Sequence, residues 1–202
     1  MSHRRQAQTV AETPEIGLAD RVLDATATLL AQHGIRRTSM DDVARQAGCA
    51  RPTIYRYYPS RDALLGALLL REVGRYLEAL DALQSKATSA RVLEDSFVFT
   101  LRYMRDHPVA RGLLSLEADS ILPLLQGASG DVMTAIVDAV AALVSRQMDE
   151  GILRKADPRL VAEAFIRFVA SFIFLPVVGF DPENERSIRR LFRESLLKGL
   201  LD

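Results

Sequence analysis

Residues Thr38 to Leu64 read TSMDDVARQAGCARPTIYRYYPSRDAL. The caps and breakers in this stretch are spaced for two short helices with a tight turn between them. Thr38 or Ser39 suits a helix start, and Asp41 and Asp42 follow in the first turn, where the helix dipole favours negative charge. Met40, Val43, Ala44 and Ala47 recur at helical spacing and form one apolar face. Gly48 is placed to end that helix in the left-handed conformation, and Cys49 and Ala50 are small enough for a turn. Pro52 belongs in the first turn of a second helix, because its fixed φ is already helical and its missing N–H needs no partner there. This helix runs from about Arg51 to Tyr58. Pro59 stops it, and Ser60 caps a further one.

A helix of about two turns is not stable alone in water. This one packs Arg51, Thr53, Tyr55, Arg56, Tyr57 and Tyr58 into that length. Arg donates bidentately to guanine or phosphate, Thr and Tyr hydroxyls bond phosphate oxygens, and their carbon surface meets thymine methyls. Arg51, Thr53, Tyr55 and Tyr57 therefore read together as an edge presented to a duplex in helix-turn-helix geometry. The alternative is a solvated face. Tyr58 falls on the inward side and reads as core.

The same stretch resembles the DNA-binding signature of the tetracycline-repressor (TetR) family of bacterial transcription regulators. The resemblance rests on Thr38, Val43, Ala44, Ala47, Gly48, Thr53, Ile54, Tyr55, Tyr57, Tyr58, Ser60, Arg61, Asp62 and Leu64, matched without a gap. It covers the first third of the chain. Beyond that it is one of helical architecture and length, apart from GILRKADP (Gly151–Pro158), which resembles the family's break between two long C-terminal helices. The resemblance implies base or groove contacts from Arg51, Pro52, Thr53 and Arg56, and phosphate contacts from Thr38, Tyr55, Tyr57 and Arg61. Arg56 stands where the family varies most, and Arg61 where lysine is common.

The charge distribution agrees with a nucleic-acid head. Over its 202 residues the chain is formally neutral. Residues 1–61 hold nine Lys or Arg against six Asp or Glu, and Arg36–Arg61 hold six Arg against Asp41 and Asp42 alone. The positive field is thus local to the reading edge, and the acidic remainder orients the approach. The lone Cys49 excludes an intrachain disulfide and reads as small packing rather than a redox sensor. No apolar signal run opens the chain, so a cytoplasmic location is the default expectation. The uncharged stretch Phe168–Phe180 is short for a bilayer and is interrupted by Pro176, so no membrane partner is expected.

The chain divides into a flexible arm (1–16, with Arg4 and Arg5), a helix-turn-helix head (17–64) and a helical ligand-binding and dimerisation domain (65–202). A connecting helix at about 61–83 joins the last two. The expected class is all-α, with about nine helices. Leu18–Gly34 is an amphipathic helix bracing the head. Later helices read as Ala90–Asp106, Val109–Ala118, Asp131–Gly151, one opened by Asp157-Pro158 and running to about Val178, and one opened by Asp181-Pro182 and ending near Leu201. Ala164–Val178 is apolar nearly all round, and the last helix carries a stripe of Ile188, Leu191, Phe192, Ser195, Leu196 and Leu200. Pairing of these two helices with their copies across a two-fold axis is the expected dimer interface, with Phe165, Phe172, Ile188, Leu191, Phe192, Ser195 and Leu196 facing the partner. The alternative is ordinary intrachain core.

The resemblance also implies a small-molecule pocket in the second domain, whose occupation shifts the connecting helix. Candidate lining is Phe97, Leu101, Tyr103, Met104, Leu113, Glu117, Met133, Val137, Phe165, Phe168 and Phe172. The same set at helical spacing also reads as plain core. An apolar wall favours a lipid-like, steroid-like or aromatic effector, while Glu117 and Asp119 leave room for a cation. Catalysis has little support. His3, His33 and His107 show no metal-ligand spacing, no Gly-rich phosphate loop follows a strand, and no cofactor is implied. The expected protein is a homodimer on a palindromic operator in double-stranded DNA, acting as a repressor released by a small hydrophobic effector. A partner-controlled regulator or activator without effector is the second reading, and a helical small-molecule enzyme the third.

Overall fold

The local signals in the head act as their chemistry dictates. The computed structural model of the protein describes residues 17–85, 91–114, 131–175, 177–179 and 181–197, and among these there are nine α-helices and no strand. The head holds α1 (Leu18–His33), α2 (Met40–Ala47) and α3 (Arg51–Tyr57), and α4 (Arg61–Gln84) leads out of it. The body holds α5 (Arg91–Asp106), α6 (Pro108–Leu114), α7 (Asp131–Asp149), α8 (Pro158–Phe174) and α9 (Glu185–Phe192), the last running into a π-helical turn at Arg193–Leu197.

Ser39, not Thr38, caps α2. Its Oγ accepts the Asp42 N–H at 3.2 Å and donates to the Asp42 carboxylate at 2.5 Å, so both ends of the first turn are satisfied. Gly48 closes α2 at φ 66°, ψ 38°. With the Gly48 N–H on the Arg45 carbonyl and the Cys49 N–H on the Ala44 carbonyl, the end has the Schellman pattern. Pro52 lies in the first turn of α3, and Tyr58 leaves the helix at φ −131°, ψ 98° ahead of Pro59. Ser60 Oγ accepts the Ala63 N–H at 3.0 Å and caps α4.

One apolar core unites the head. Val22 and Leu30 of α1, Val43 of α2, Ile54 of α3 and Leu64, Leu65 and Leu68 of α4 are all essentially solvent-free. Val109 of α6 belongs to this core too, so the head rests on two body elements, α4 and α6. Arg71 of α4 reaches Asp24 of α1 at 2.8 Å and reinforces that seam.

The body has a second core around Phe97, which is fully buried. Its ring stacks on Phe192 (centroids 4.7 Å apart) and Phe168 (5.6 Å) and meets Phe165 and Phe172 edge-on at 6.2 and 6.0 Å. Ion pairs hold α9 and the π-helical turn after it against α5. Arg193 grips Glu94 bidentately at 2.9 and 2.8 Å, and Arg189 meets Asp95 at 2.6 Å. Val137, Val140 and Ala141 of α7 pack on Ala162 of α8 in a third cluster.

Two boundaries differ from the reading of the sequence. The eighth helix ends at Phe174 rather than near Val178, because Leu175 precedes Pro176 and takes an extended conformation (φ −112°, ψ 143°). The ninth opens at Asn184 rather than Asp181. Asp181 Oδ1 instead accepts the Glu183 N–H at 2.9 Å in a turn, and Asn184 Oδ1 accepts the Arg186 N–H at 3.0 Å as the cap. The N-terminal arm with Arg4 and Arg5, residues 115–130 and the chain end from Lys198 lie outside the described residues. No helix among the described residues is long and apolar enough to cross a membrane.

Candidate nucleic-acid interface and interior cavity

Burial of Ile54 fixes which way α3 faces. With Ile54 in the core and Tyr58 half-buried four residues on, Arg51, Pro52, Tyr55, Arg56 and Tyr57 are left in solvent and Thr53 half-exposed. Tyr55 and Tyr57 are large apolar rings exposed at 37% and 44%, on a helix too short to hold itself. The Arg51 guanidinium donates to the Tyr55 hydroxyl at 3.2 Å and to Asp41 at 3.1 Å, and lies 5.4 Å from the Tyr55 ring centroid. The Tyr55 bond first, and the Asp41 charge second, hold it above its ordinary pKa. Arg56 sits over the Tyr57 ring at 5.6 Å. Both arginines are thus held over neighbouring tyrosine rings within cation–π distance. Tyr58 turns inward and donates to the Ala19 carbonyl at 3.4 Å, and burial pushes its phenol pKa up.

Thr38 and Arg61 are placed differently from the exposed set. Thr38 is 4% exposed and donates its hydroxyl to the Gly34 carbonyl at 2.9 Å. The Arg61 fork donates to the Thr38 carbonyl at 3.1 Å and to the Ile35 carbonyl. Both side chains brace the α1–α2 turn. The sequence cannot reveal this, because their partners are backbone carbonyls.

Of the eleven residues named for a pocket, the nine whose side chains are described fall in different places. Phe97 and Phe168 are packed in the aromatic core. Leu101, Met104 and Phe172 line an open groove of about 390 Å³ together with Arg102, Arg105 and Arg111. Tyr103 borders a second groove, and Met133 and Val137 a third. Phe165 reaches a small cavity of about 70 Å³ between α4, α5, α7, α8 and α9, whose walls include Leu80, Val140, Val144 and Phe192. The side chain of Leu113 and the whole of Glu117 lie outside the described residues. Gln84, Ser96 and Gln147, all buried in the wall of the small cavity, were missed. The signal was there: Gln147 follows Val140 and Val144 on the apolar stripe of α7, as Gln84 follows Tyr76 and Leu80 on α4.

Of the residues expected to face a second copy, Ile188 and Phe192 are buried in the chain's own core, and Phe165 and Phe172 pack against it. Leu191 is half-buried, Ser195 is exposed, and the Leu196 side chain lies outside the described residues. The outer face of α8 remains open instead, with Leu160 at 66% exposure, Ala164 exposed, and Leu175 at 64% beyond its end.

A capped two-helix unit with a basic, aromatic outer edge, set on a helical body by α4 and α6, defines a helix-turn-helix, DNA-binding transcription regulator. The model for "Bacterial regulatory proteins, tetR family" matches residues 22–68. The chain is 31% identical over 174 residues to an uncharacterized HTH-type transcriptional regulator of Mycobacterium tuberculosis, covering 84% of this chain and 80% of that one. It belongs to the TetR family of transcriptional regulators. Its fold is that of the TetR family repressor AlkX from Dietzia sp. (TM-score 0.67, 21% identity, 91% of this chain and 97% of the other). It is also that of RolR bound to resorcinol (TM-score 0.67, 18% identity, 91% and 87%).

Proposed function

We propose that this regulator is a homodimeric repressor that holds a palindromic operator through α3 of each copy and is released by a small, mainly apolar effector. The supporting observation is the seating of the head: Val109 of α6 is part of the head core, and α4 runs without a break from the head into the cavity wall at Leu80 and Gln84. A ligand that binds better when α4 and α6 are displaced shifts the pair of heads away from operator spacing, since only differential affinity moves such an equilibrium. Arg51, Pro52, Thr53 and Arg56 read bases or groove, and Tyr55 and Tyr57 bond phosphates. Thr38 and Arg61 serve the edge by fixing the turn behind it.

The open outer face of α8 at Leu160 and Ala164, with Leu175 beyond its end, is the face proposed to meet a second copy. Two heads then reach half-sites roughly 34–36 Å apart or a multiple of that. The ligand-bound state of the similarly folded RolR supports an effector-responsive body. The test is operator binding by wild type and by the Arg51→Ala, Tyr55→Ala double variant. The double variant is expected to lose the operator while keeping its helicity and its dimer. Unchanged operator binding would overturn the assignment of α3 as the reading helix.

A further inference from the structure

His107 stands at the joint between α5 and α6. Its N–H bonds the Tyr103 carbonyl at 2.9 Å and closes α5, and its carbonyl accepts the Arg111 N–H at 2.9 Å and opens α6. The ring serves the same opening, because Nδ1 accepts the Ala110 N–H at 3.5 Å. A ring nitrogen that accepts carries no proton, so the neutral imidazole keeps its proton on Nε2. Nε2 lies 3.9 Å from Glu72 Oε2 of α4, beyond hydrogen-bond reach. Glu72 is 6% exposed, and its Oε2 is buried without a hydrogen-bond partner among the described residues. Arg71 and Arg75 both meet the other oxygen, Oε1, at 3.4 and 2.9 Å. An unpaired buried carboxylate oxygen is costly, and the His107 ring is held short of it by the bond to Ala110.

We infer that His107 is a proton switch on operator binding, in which protonation at Nδ1 moves the ring from the α6 cap to Glu72 Oε2 and loosens the seat of the head. The two demands on the ring exclude one another. A proton on Nδ1 removes the acceptor that Ala110 uses and makes the ring a cation. The unpaired Glu72 oxygen then draws Nε2–H into a charge-assisted bond. Val109, two residues on, is part of the head core. An uncapped α6 holds it less firmly, and heads held less firmly bind two fixed half-sites less well. The other groups around the ring are already engaged. On α4, Arg71 and Arg75 oppose the protonation, and Asp24 of α1 offsets them at 2.8 and 3.9 Å. On α5, Tyr103 stacks on the ring with centroids 4.7 Å apart, and its phenol pKa is raised by burial first and by the Glu72 charge second. Asp106 is taken by Arg105 at 2.7 Å. In the groove beside His107, Arg102 meets Glu185 at 2.7 Å and Arg189 meets Asp95 at 2.6 Å. Arg111 of α6 stands in solvent. Such a switch works beside any effector and rests only on operator binding through α3.

The test is operator affinity of the full-length protein by fluorescence anisotropy, on a duplex that the protein selects from a random pool. Fixed salt and a range from about pH 8 to about pH 5.5 cover the charge change of histidine, and nitrogen-15 NMR of the imidazoles runs beside it. His107→Asn puts an amide oxygen where Nδ1 stood, so it keeps the cap without a titrating ring, and it leaves His33 in place. At the alkaline end His107 is expected as the Nε2–H tautomer. Affinity is expected to fall about tenfold for each pH unit below the midpoint of the His107 titration, and His107→Asn to lose little. An Nδ1–H tautomer, no His107 titration in this range, wild-type affinity unchanged through the midpoint, or an equal loss in His107→Asn would overturn the inference. The wild-type results decide even if the variant does not fold. A duplex bound equally tightly at both ends of the range upholds the operator reading and refutes the switch. A protein that binds no duplex at any pH refutes the operator reading itself, and the switch with it.

Discussion

Replacing Arg61 distinguishes a side chain that touches DNA from one that shapes the surface touching it. The guanidinium donates to the Thr38 and Ile35 carbonyls, at the turn that delivers Ser39 to cap α2. A hydrogen bond with one charged partner contributes about 1.5–3 kcal/mol, and half-exposure of Arg61 reduces this through competition with water. For the pair, about 2 kcal/mol is a reasonable magnitude. In a chain of this length each kcal/mol moves the melting midpoint by about 2–4 °C, so Arg61→Ala is expected to melt about 4–8 °C lower. Arg61→Lys keeps the charge but loses the fork, and it is expected to recover only part of that loss. Calorimetry measures the midpoints, and fluorescence anisotropy over a salt series measures DNA binding. A lost phosphate contact flattens the slope of log K against log salt by about 0.9; a lost brace leaves the slope nearly as it was. An Arg61→Ala protein with a wild-type midpoint and a slope flattened by about 0.9 per head would refute the bracing role and restore Arg61 to the phosphate contacts.

Phe97→Ala empties the centre of the body's aromatic core and is expected to cost about 3–5 kcal/mol in denaturant unfolding; a loss under about 1 kcal/mol would mean the cluster collapses freely. Asp42 is held below the usual carboxylate range, chiefly by the Ser39 hydroxyl and then by the Ser39 backbone and Arg45. Its folded pKa is depressed, so its contribution is complete above the ordinary value of 3.8 and is lost as pH falls through the lower folded value. Melting midpoints of wild type are accordingly expected to fall more steeply below about pH 4 than those of Asp42→Asn, and parallel curves would contradict this. Asp41→Asn frees Arg51 from its ion pair and removes a negative charge beside the reading edge. It is expected to tighten binding to random duplex several-fold and to narrow the gap between operator and random DNA. Unchanged binding to both would show that the pair is immaterial.

The head was legible because its signals are local. Ser39, Gly48, Pro52, Pro59 and Ser60 each act within one turn of the chain, and the structure shows their effects at those positions. The long helices were legible for the same reason, apart from the end of α8 at Phe174 and the start of α9, where Asn184 and not Asp181 is the cap. What the sequence hid was non-local. Arg61 and Thr38 looked like free polar groups, and only the folded turn reveals the carbonyls they satisfy. The stripe of Ile188 and Phe192 looked available to a partner, yet it meets Phe97 of α5, almost a hundred residues away in the chain. The helix α8 is apolar on more than one side because its inner face fills the body core while Leu160 and Ala164 face outward.

The proposed function depends on two copies of α3 reading a symmetric sequence. Selection of bound duplexes from a random DNA pool by the purified protein, with the bound sequences read out, tests it most directly. An enriched pseudo-palindrome is expected, its two half-sites about one helical turn, or a multiple of it, apart, and it is expected to disappear in the Arg51→Ala, Tyr55→Ala variant. Folded protein that enriches no motif even at low salt, or the same motif selected by the double variant, would contradict it.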